Sequence, residues 1–279
     1  QVLEEGEDYT IEYGNNVDVG TNSGSIVIRQ VSGTDTYYTG SKTARFNIYY
    51  NLSKATVTGL NDTYSYTGSE VKPIPQVTCA GKVLQKGVDY SLTYTNNIDA
   101  GTASVVINSI DGASIGNQVV NFEIKGINLE DPGMNITLDG QSSGTTATYT
   151  GDYIQPKVVV TYGGKTLTQT KDYNVSYAEN LNVGQASVTV SGAGSYYGAV
   201  TKNFTIAPKD LAEKDINVKV SNAGYAGGHK VVPQMSITYN GHTLQEGTDY
   251  ICELSNNEYV SVDSKASATF IGKGNYTGK

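Results

Sequence analysis

Residues 84–103 read LQKGVDYSLTYTNNIDAGTA, and this stretch decides the fold. Leu84 stands five residues ahead of Asp89-Tyr90, Asn96 falls seven residues after Asp89, and Gly101 falls twelve after it. Between them Tyr90, Leu92 and Tyr94 alternate with Ser91, Thr93 and Thr95. Strict period-two alternation over six residues predicts a half-buried antiparallel strand. The same string returns at Asp8-Tyr9, Asp172-Tyr173 and Asp249-Tyr250, so that successive anchors are 81, 83 and 77 residues apart. Leu3, Leu167 and Leu244 keep the leading position, and Asn15-Asn16, Glu179-Asn180 and Asn256-Asn257 keep the trailing one. Self-similarity at a fixed period marks one supersecondary unit copied in series.

Working outward from the anchor, each copy carries the same punctuation. Pro73, Pro156 and Pro233 lie sixteen residues before their aspartates, and a proline, lacking a ladder donor, belongs at a strand start or an edge. Gly81, Gly164 and Gly241 mark a tight turn, with Gly163-Gly164 suited to a two-residue hairpin. Gly6, Gly87 and Gly247 mark the next turn, where repeat three has Thr170 instead. After the anchor strand a second alternating run follows, Ala103-Val105-Ile107, matched by Ala186-Val188-Val190 and Ala266-Ala268-Phe270. A Tyr/Gly turn comes next, at Tyr37-Tyr38-Thr39-Gly40, Tyr196-Tyr197-Gly198 and Tyr276-Thr277-Gly278, while repeat two carries Asp111–Gly116 there. Phe46-Asn47-Ile48, Phe122-Glu123-Ile124 or Phe204-Thr205-Ile206 closes the unit. No segment has a helical period. Six or seven short strands in about 80 residues predict a small β-sandwich.

Bulk properties narrow the function classes. Twenty-seven acids against nineteen bases give a net charge of −8, which argues against nucleic acid as a partner. No apolar run is long enough to insert in a membrane. Cys79 and Cys252 sit at non-equivalent positions of different repeats and read as unpaired thiols, Cys252 replacing Ile11, Leu92 and Val175 as a small apolar residue. Gln1 falls in mid-repeat and Lys279 stops ahead of a closing strand, so the chain reads as an excerpt of a longer, monomeric polypeptide.

Catalytic chemistry is poorly supplied. His229 and His242 recur nowhere, and no HExxH helix, nucleophile elbow or P-loop is present. The expectation is no enzyme, no catalytic residue and no cofactor. The repeated aspartates read as turn-fixing acceptors of backbone N–H groups. Calcium is the sharper alternative, with Asp89, Asn96, Asn97 and Asp99 or Asp8, Asn15, Asn16 and Asp18 as donors. That ion needs six to eight oxygens on one centre, and these donors straddle a strand, so no metal site is expected. Tyrosine offers a flat apolar ring and a polar tip. Tyr259, Tyr239, Tyr162, Tyr153 and Tyr197 are therefore the candidate ligand contacts, the unshared Tyr259 lying in the irregular Asn256–Ala266 loop of repeat four.

The motif of residues 84–103 and the ending Gly272-Lys-Gly274-Asn275-Tyr276-Thr277-Gly278 resemble the bacterial immunoglobulin-like repeats of large Gram-positive cell-surface proteins of the gut Firmicutes type. The resemblance covers essentially the whole chain. It implies an all-β fold of tandem immunoglobulin-like β-sandwiches, secretion to the cell surface, and a place in a stalk, an adhesin or an accessory region of a surface enzyme. The domains expected are a partial repeat at 1–50, full repeats at 51–126 and 127–208, and a repeat at 209–279 without its last strand. Short linkers around Leu52, Leu129 and Leu211 suggest an elongated rod. With strands rising about 3.3 Å per residue, each unit spans roughly 30–40 Å and four in line approach ~150 Å. The leading expectation is a non-enzymatic extracellular spacer; the alternative is a binding segment for host glycan, host protein or polysaccharide. Lys–Asn or Lys–Asp cross-links occur in such surface domains, but no lysine recurs here in one register with suitable partners.

Overall fold

A computed structural model describes residues 2–32, 39–258, 260 and 265–279. The protein is all-β among these residues, its single helical element being a 3₁₀ turn at Leu52–Lys54. The chain divides into two compact units, Gln1–Gly126 and Ile127–Lys279.

The first unit opens with an antiparallel sheet of Tyr9–Gly14, Gly20–Gln30 and Ser41–Ile48. Little covers that sheet, and Tyr13 is 61% exposed although it belongs to the alternating face. Two further sheets follow. Thr56–Thr58, Gln76–Cys79 and Lys82–Val83 form one, and Thr63–Ser65, Gln118–Lys125, Gly101–Ser109 and Tyr90–Thr95 form the other in that spatial order. Val77, Tyr90 and Ile107 from the two sheets share one buried cluster with Leu52 of the 3₁₀ turn and with Leu84, just past its strand. Two layers enclosing one apolar interior is a β-sandwich-like arrangement.

Repeat three, in the second unit, has the same plan. Met134–Leu138, Val158–Tyr162 and Lys165–Thr166 make the three-stranded sheet; Thr146–Thr148, Ala199–Ala207, Gly184–Gly192 and Tyr173–Ala178 make the four-stranded one. Repeat four has the three-stranded sheet, Asn217–Val220, Met235–Tyr239 and His242–Thr243, but among the described residues its second sheet holds Tyr250–Ser255 and Ser267–Gly272 alone.

The punctuation read from sequence has physical counterparts. Ala80-Gly81, Gly163-Gly164 and Asn240-Gly241 all have both residues at positive φ, the geometry of a type I′ hairpin whose twist matches its strands. Each linker strand runs parallel to the late turn of its own repeat: Tyr50–Asn51 with Ser114–Ile115, Ile127–Asn128 with Tyr196–Tyr197, and Lys209–Asp210 with Tyr276–Thr277. That pairing makes Tyr276 the counterpart of Tyr196, the register in which Gly198 and Gly278 also align. Both Tyr196 and Tyr276 are buried, whereas Tyr197 faces solvent. Tyr37 and Tyr38 lie outside the described residues.

Candidate functional site

The repeated polar residues are engaged in holding the backbone. Asp89 Oδ2 accepts from the Gln85 backbone N–H at 2.7 Å, and Asp8, Asp172 and Asp249 accept from Glu4, Thr168 and Gln245 in the same way. Each aspartate's own N–H returns a bond to the carbonyl of the same partner residue. The Asn pairs act at the other strand end. Asn15, Asn96, Glu179 and Asn256 occupy left-handed backbone at φ 44–54°, a region asparagine tolerates better than most residues. The following asparagine clamps a segment 26 residues upstream. Asn97, Asn180 and Asn257 each donate from Nδ2 to the carbonyl of Val71, Ile154 or Val231, whose N–H bonds back to the asparagine's carbonyl. Asp89 and Asn96 thus sit at opposite ends of a strand and about 20 Å apart at 3.3 Å per residue, so these oxygens do not converge on one ion. Among the described residues no cluster of three or more His, Cys, Asp or Glu side chains is placed to hold a metal, and no helix is long and apolar enough to cross a membrane.

The second tyrosine of the anchor strand is also tied down. Tyr94 and Tyr177 hydroxyls donate to the Pro73 and Pro156 carbonyls at 2.7 and 2.6 Å. Burial is the main cause that pushes both phenols above their ordinary value of 10. Cys79 and Cys252 are free thiols; Cys252 lies opposite Phe270 in its sheet, and burial pushes its thiol up, away from thiolate chemistry.

Of the four candidate contact tyrosines among the described residues, two present open rings. Tyr153 is 70% exposed, in an irregular segment rather than on a strand, and Tyr197 is 46% exposed on the turn of repeat three. Tyr162 is half-buried at the end of its strand, its ring beside Gly133. Tyr239 is a correction: it is buried in the core of repeat four and offers no face to a ligand in solvent. Tyr259 lies outside the described residues. No ring contact joins any two of Tyr153, Tyr162, Tyr197 and Tyr239.

Tyr239 is buried because repeat three reaches over it. Its hydroxyl donates to the Tyr149 carbonyl at 3.3 Å, and Tyr149, Tyr239 and Tyr276 form an edge-to-face cluster with centroids 5.4 and 6.4 Å apart about Tyr276. Around it Asn240 Nδ2 donates to the Thr150 carbonyl and to Asp152 Oδ2, and His242 Nε2 lies 3.4 Å from Asp152 Oδ1. Asn275 Oδ1 accepts from the Val183 N–H, and its Nδ2 donates to Asn182 Oδ1. Gly151 sits at φ 87° against the imidazole, where an added Cβ would approach His242 Cδ2 to 2.7 Å. These contacts join repeat three directly to repeat four.

Below the cluster lies a group that sequence comparison missed. Lys209 is 4% exposed, with Nζ 2.6 Å from Glu213 Oε2, 2.8 Å from Asp215 Oδ2 and 4.9 Å from the Tyr239 ring centre. Burial alone would lower the lysine's pKa, but the hydrogen bonds to Asp215 and Glu213 outweigh it and hold the ammonium well above 10.5. The bond from Lys209 holds Asp215 below 3.8. A lysine, an aspartate and a glutamate are the ingredients of a Lys–Asp amide bond. Here, however, the amine is kept protonated, the aspartate ionised, and both carboxylates half exposed. The arrangement is an ion-paired anchor for the linker strand.

One groove stands apart from these self-satisfied contacts. It occupies about 440 Å³ in repeat four, between the segment Val220–Tyr225 and the strand Ser267–Gly272, and Leu254 and Pro233 form part of its wall. Leu254 stands where repeats two and three have Tyr94 and Tyr177, so the hydroxyl-to-proline bond of those repeats has no equivalent side chain here. The chain matches no model of a known protein family and no curated protein.

Proposed function

We propose that the chain is a non-enzymatic extracellular spacer: tandem immunoglobulin-like β-sandwiches in line, belonging to a bacterial cell-surface protein and holding a functional head away from that surface. The observation that carries the reading is the junction of repeats three and four. A cluster of three tyrosines and hydrogen bonds from Asn240, Asn275 and Tyr239 fix successive units against each other, which is what stiffness along a stalk requires. The repeated Asp and Asn side chains fit the same purpose, since they are consumed in bracing loops. An acidic surface keeps such a body soluble. Small-angle scattering of the intact chain tests it. A maximum dimension approaching ~150 Å is expected from four units in line. A radius of gyration near the roughly 19 Å of a compact chain of this length would sink the reading.

A binding segment is the second reading, favoured by the open rings of Tyr153 and Tyr197, which suit stacking against sugar. Screening the folded chain against mucins, serum proteins and polysaccharides tests it. A saturable hit lost in Tyr153→Ala or Tyr197→Ala supports it, and a clean negative leaves the spacer reading alone.

A further inference from the structure

Repeat three holds an open cleft where repeat two is filled by its own side chains. The cleft occupies about 500 Å³ between the linker of the repeat and the first half of the closing strand Ala199–Ala207, within the roughly 300–1,000 Å³ usual for small-molecule sites. The two repeats share a register there, since Phe122 lies opposite Ala103 and Phe204 opposite Ala186. Gln118 and Val120 therefore stand where repeat three has Val200 and Lys202. In repeat two Val120 packs against the buried core, and the Gln118 amide, with its nitrogen facing them, reaches the Leu52 and Ala55 carbonyls at 2.9 and 3.1 Å. The linkers differ as well. Val57 and Ile136 are equivalent, opposite Val77 and Val160, yet Val57 lies five residues after Leu52 and Ile136 seven after Leu129. The longer linker brings Glu130 and Asp131 to the wall of the cleft.

Both apolar and charged groups line this space. Leu129 and Ile136 are buried, and Met134 and Val200 are half-buried. The loop that carries the two acids is fixed from within. Asn128 Oδ1 accepts from the Glu130 N–H at 3.1 Å, and Asp131 Oδ1 from the Gly133 N–H at 2.8 Å. Lys202 lies on the same side of its strand as the buried Phe204 and Ile206. Among the described residues its Nζ meets the Ser142 carbonyl at 3.4 Å and forms no ion pair. Thr146–Thr148 pairs with residues 205–207 of the closing strand and leaves its first half without a neighbour on that side. A charge turned inward on such an edge bars the addition of another strand, so the cleft is not suited to an extended peptide.

We propose that the cleft of repeat three binds a short segment of uncharged polysaccharide. Carboxylates and an ammonium around one cavity penalise a ligand charged in either sense. A hydroxyl satisfies both at once, donating to Glu130 or Asp131 and accepting from Lys202. Apolar walls with a few placed polar groups are the usual make-up of a small-molecule site, and here the apolar residues suit the C–H face of a sugar ring. Tyr197 is joined to the same linker, its carbonyl accepting from the Leu129 N–H at 2.8 Å, so the open tyrosine and the cleft belong to neighbouring residues. The site rests on the binding reading and gives it a place and a ligand class.

The test titrates the intact chain by calorimetry with cellotetraose, xylotetraose and mannotetraose, and with tetragalacturonate and a glucosamine tetramer as charged counterparts. At least one neutral sugar should bind saturably, and more tightly than either charged tetramer. Val200→Gln combined with Lys202→Val rebuilds the wall of repeat two from residues that this strand position already accepts. The pair should weaken binding at least about tenfold, or about 1.4 kcal/mol, in a chain that still melts cooperatively. Glu130→Gln, at an exposed linker position, should weaken it in the same direction without bearing on folding, and Tyr153→Ala should leave it unchanged. Native affinity in the folded double variant and in Glu130→Gln overturns the proposal and leaves Lys202 as a guard of the strand edge. Tighter binding of a charged tetramer, or no saturable binding of any neutral sugar at millimolar concentration, overturns it as well. A sugar whose binding is lost in Tyr153→Ala, or a serum protein that binds where no sugar does, sinks this site while keeping the binding reading.

Discussion

In repeat three the strand Gly184–Gly192 has a neighbour on each side, Tyr173–Ala178 and Ala199–Ala207; in repeat four, among the described residues, its counterpart Ser267–Gly272 pairs with Tyr250–Ser255 alone. The three-stranded sheets of the two repeats are alike, and so are their anchors. Leu167 and Leu244 are both 4% exposed, and Tyr173 and Tyr250 are both buried. What differs is confined to the half of the sandwich that the closing strand covers. Apolar alternation is therefore necessary for burial but not sufficient for it, since Ala266 and Ala268 keep the alternating pattern and remain open. The first sheet of the chain teaches the same lesson, with Tyr13 exposed on the face that Tyr94 and Tyr177 bury in part.

The sharpest way to break the contrast is to open repeat three. Phe204 is 2% exposed and lies opposite Ala186. Phe204→Ala should cost about 3–5 kcal/mol, the usual range for removing a buried phenylalanine. Denaturant unfolding of the intact chain measures it, and a loss below about 1 kcal/mol would show that the closing strand is not what holds the sandwich shut. The asparagine clamps come next. Asn180 is 7% exposed, whereas Asn257 is half-buried at the rim of the groove. Asn180→Ala should cost about 1–3 kcal/mol, because it removes a buried side chain and leaves the Ile154 carbonyl short of a donor. Asn257→Ala should cost distinctly less, since Asn257 is the less buried of the two side chains. Equal losses would mean that the burial of the asparagine does not set the strength of its clamp.

Much of this was legible in the sequence because four copies of one motif supply their own alignment. The succession of strands, the hairpin turns and the structural use of Asp89 follow from period-two alternation and from spacing, whereas the clamp that Asn97 makes on Val71 joins residues 26 apart and left no such signal. The failures are contacts between copies. Tyr162 and Tyr239 share a motif position, yet Tyr239 is buried because Tyr149 of the preceding repeat covers it, and nothing near residue 239 announces that. Lys209 escaped for a related reason: its counterparts Tyr50 and Ile127 carry no charge, so recurrence, the signal relied on, was absent. The groove did leave a trace, the change from Tyr94 and Tyr177 to Leu254, but its other wall lies in a stretch without alternation.

A backbone comparison gives a smaller effect of opposite sign. The turn before each anchor holds Gly6, Gly87 and Gly247 at φ 85–89°, and repeat three places Thr170 there at φ 71°. A β-branched residue in that region is strained. Thr170 is exposed and its N–H bonds the Tyr173 carbonyl, as Gly247 bonds Tyr250, so removing the side chain leaves the turn intact. Thr170→Gly should stabilise repeat three by about 1 kcal/mol, the strain relieved exceeding the added freedom of the unfolded chain. Gly247→Thr should destabilise repeat four by a similar amount. Thermal melts of the two variants check the pair; shifts of the same sign would remove strain as the explanation.

The last contrast is one of charge. At the linker position repeat three has Ile127 and repeat four has Lys209, paired with Glu213 and Asp215. Lys209 has its pKa raised above 10.5 in the folded chain, so its contribution is fully present below that value and fades as pH climbs beyond it. Asp215 has its pKa lowered below 3.8, so its contribution is present above that value and fades as pH falls through the acid range. Repeat four should therefore hold its linker best between these limits and loosen at both extremes, while Ile127 gives repeat three no such dependence. Lys209→Met keeps a long apolar stem against Tyr239 and removes the charge. Melting temperature against pH should be flatter in this variant than in the native chain, most clearly below pH 4, and identical acid slopes would show that the ion pair makes no contribution to holding the strand.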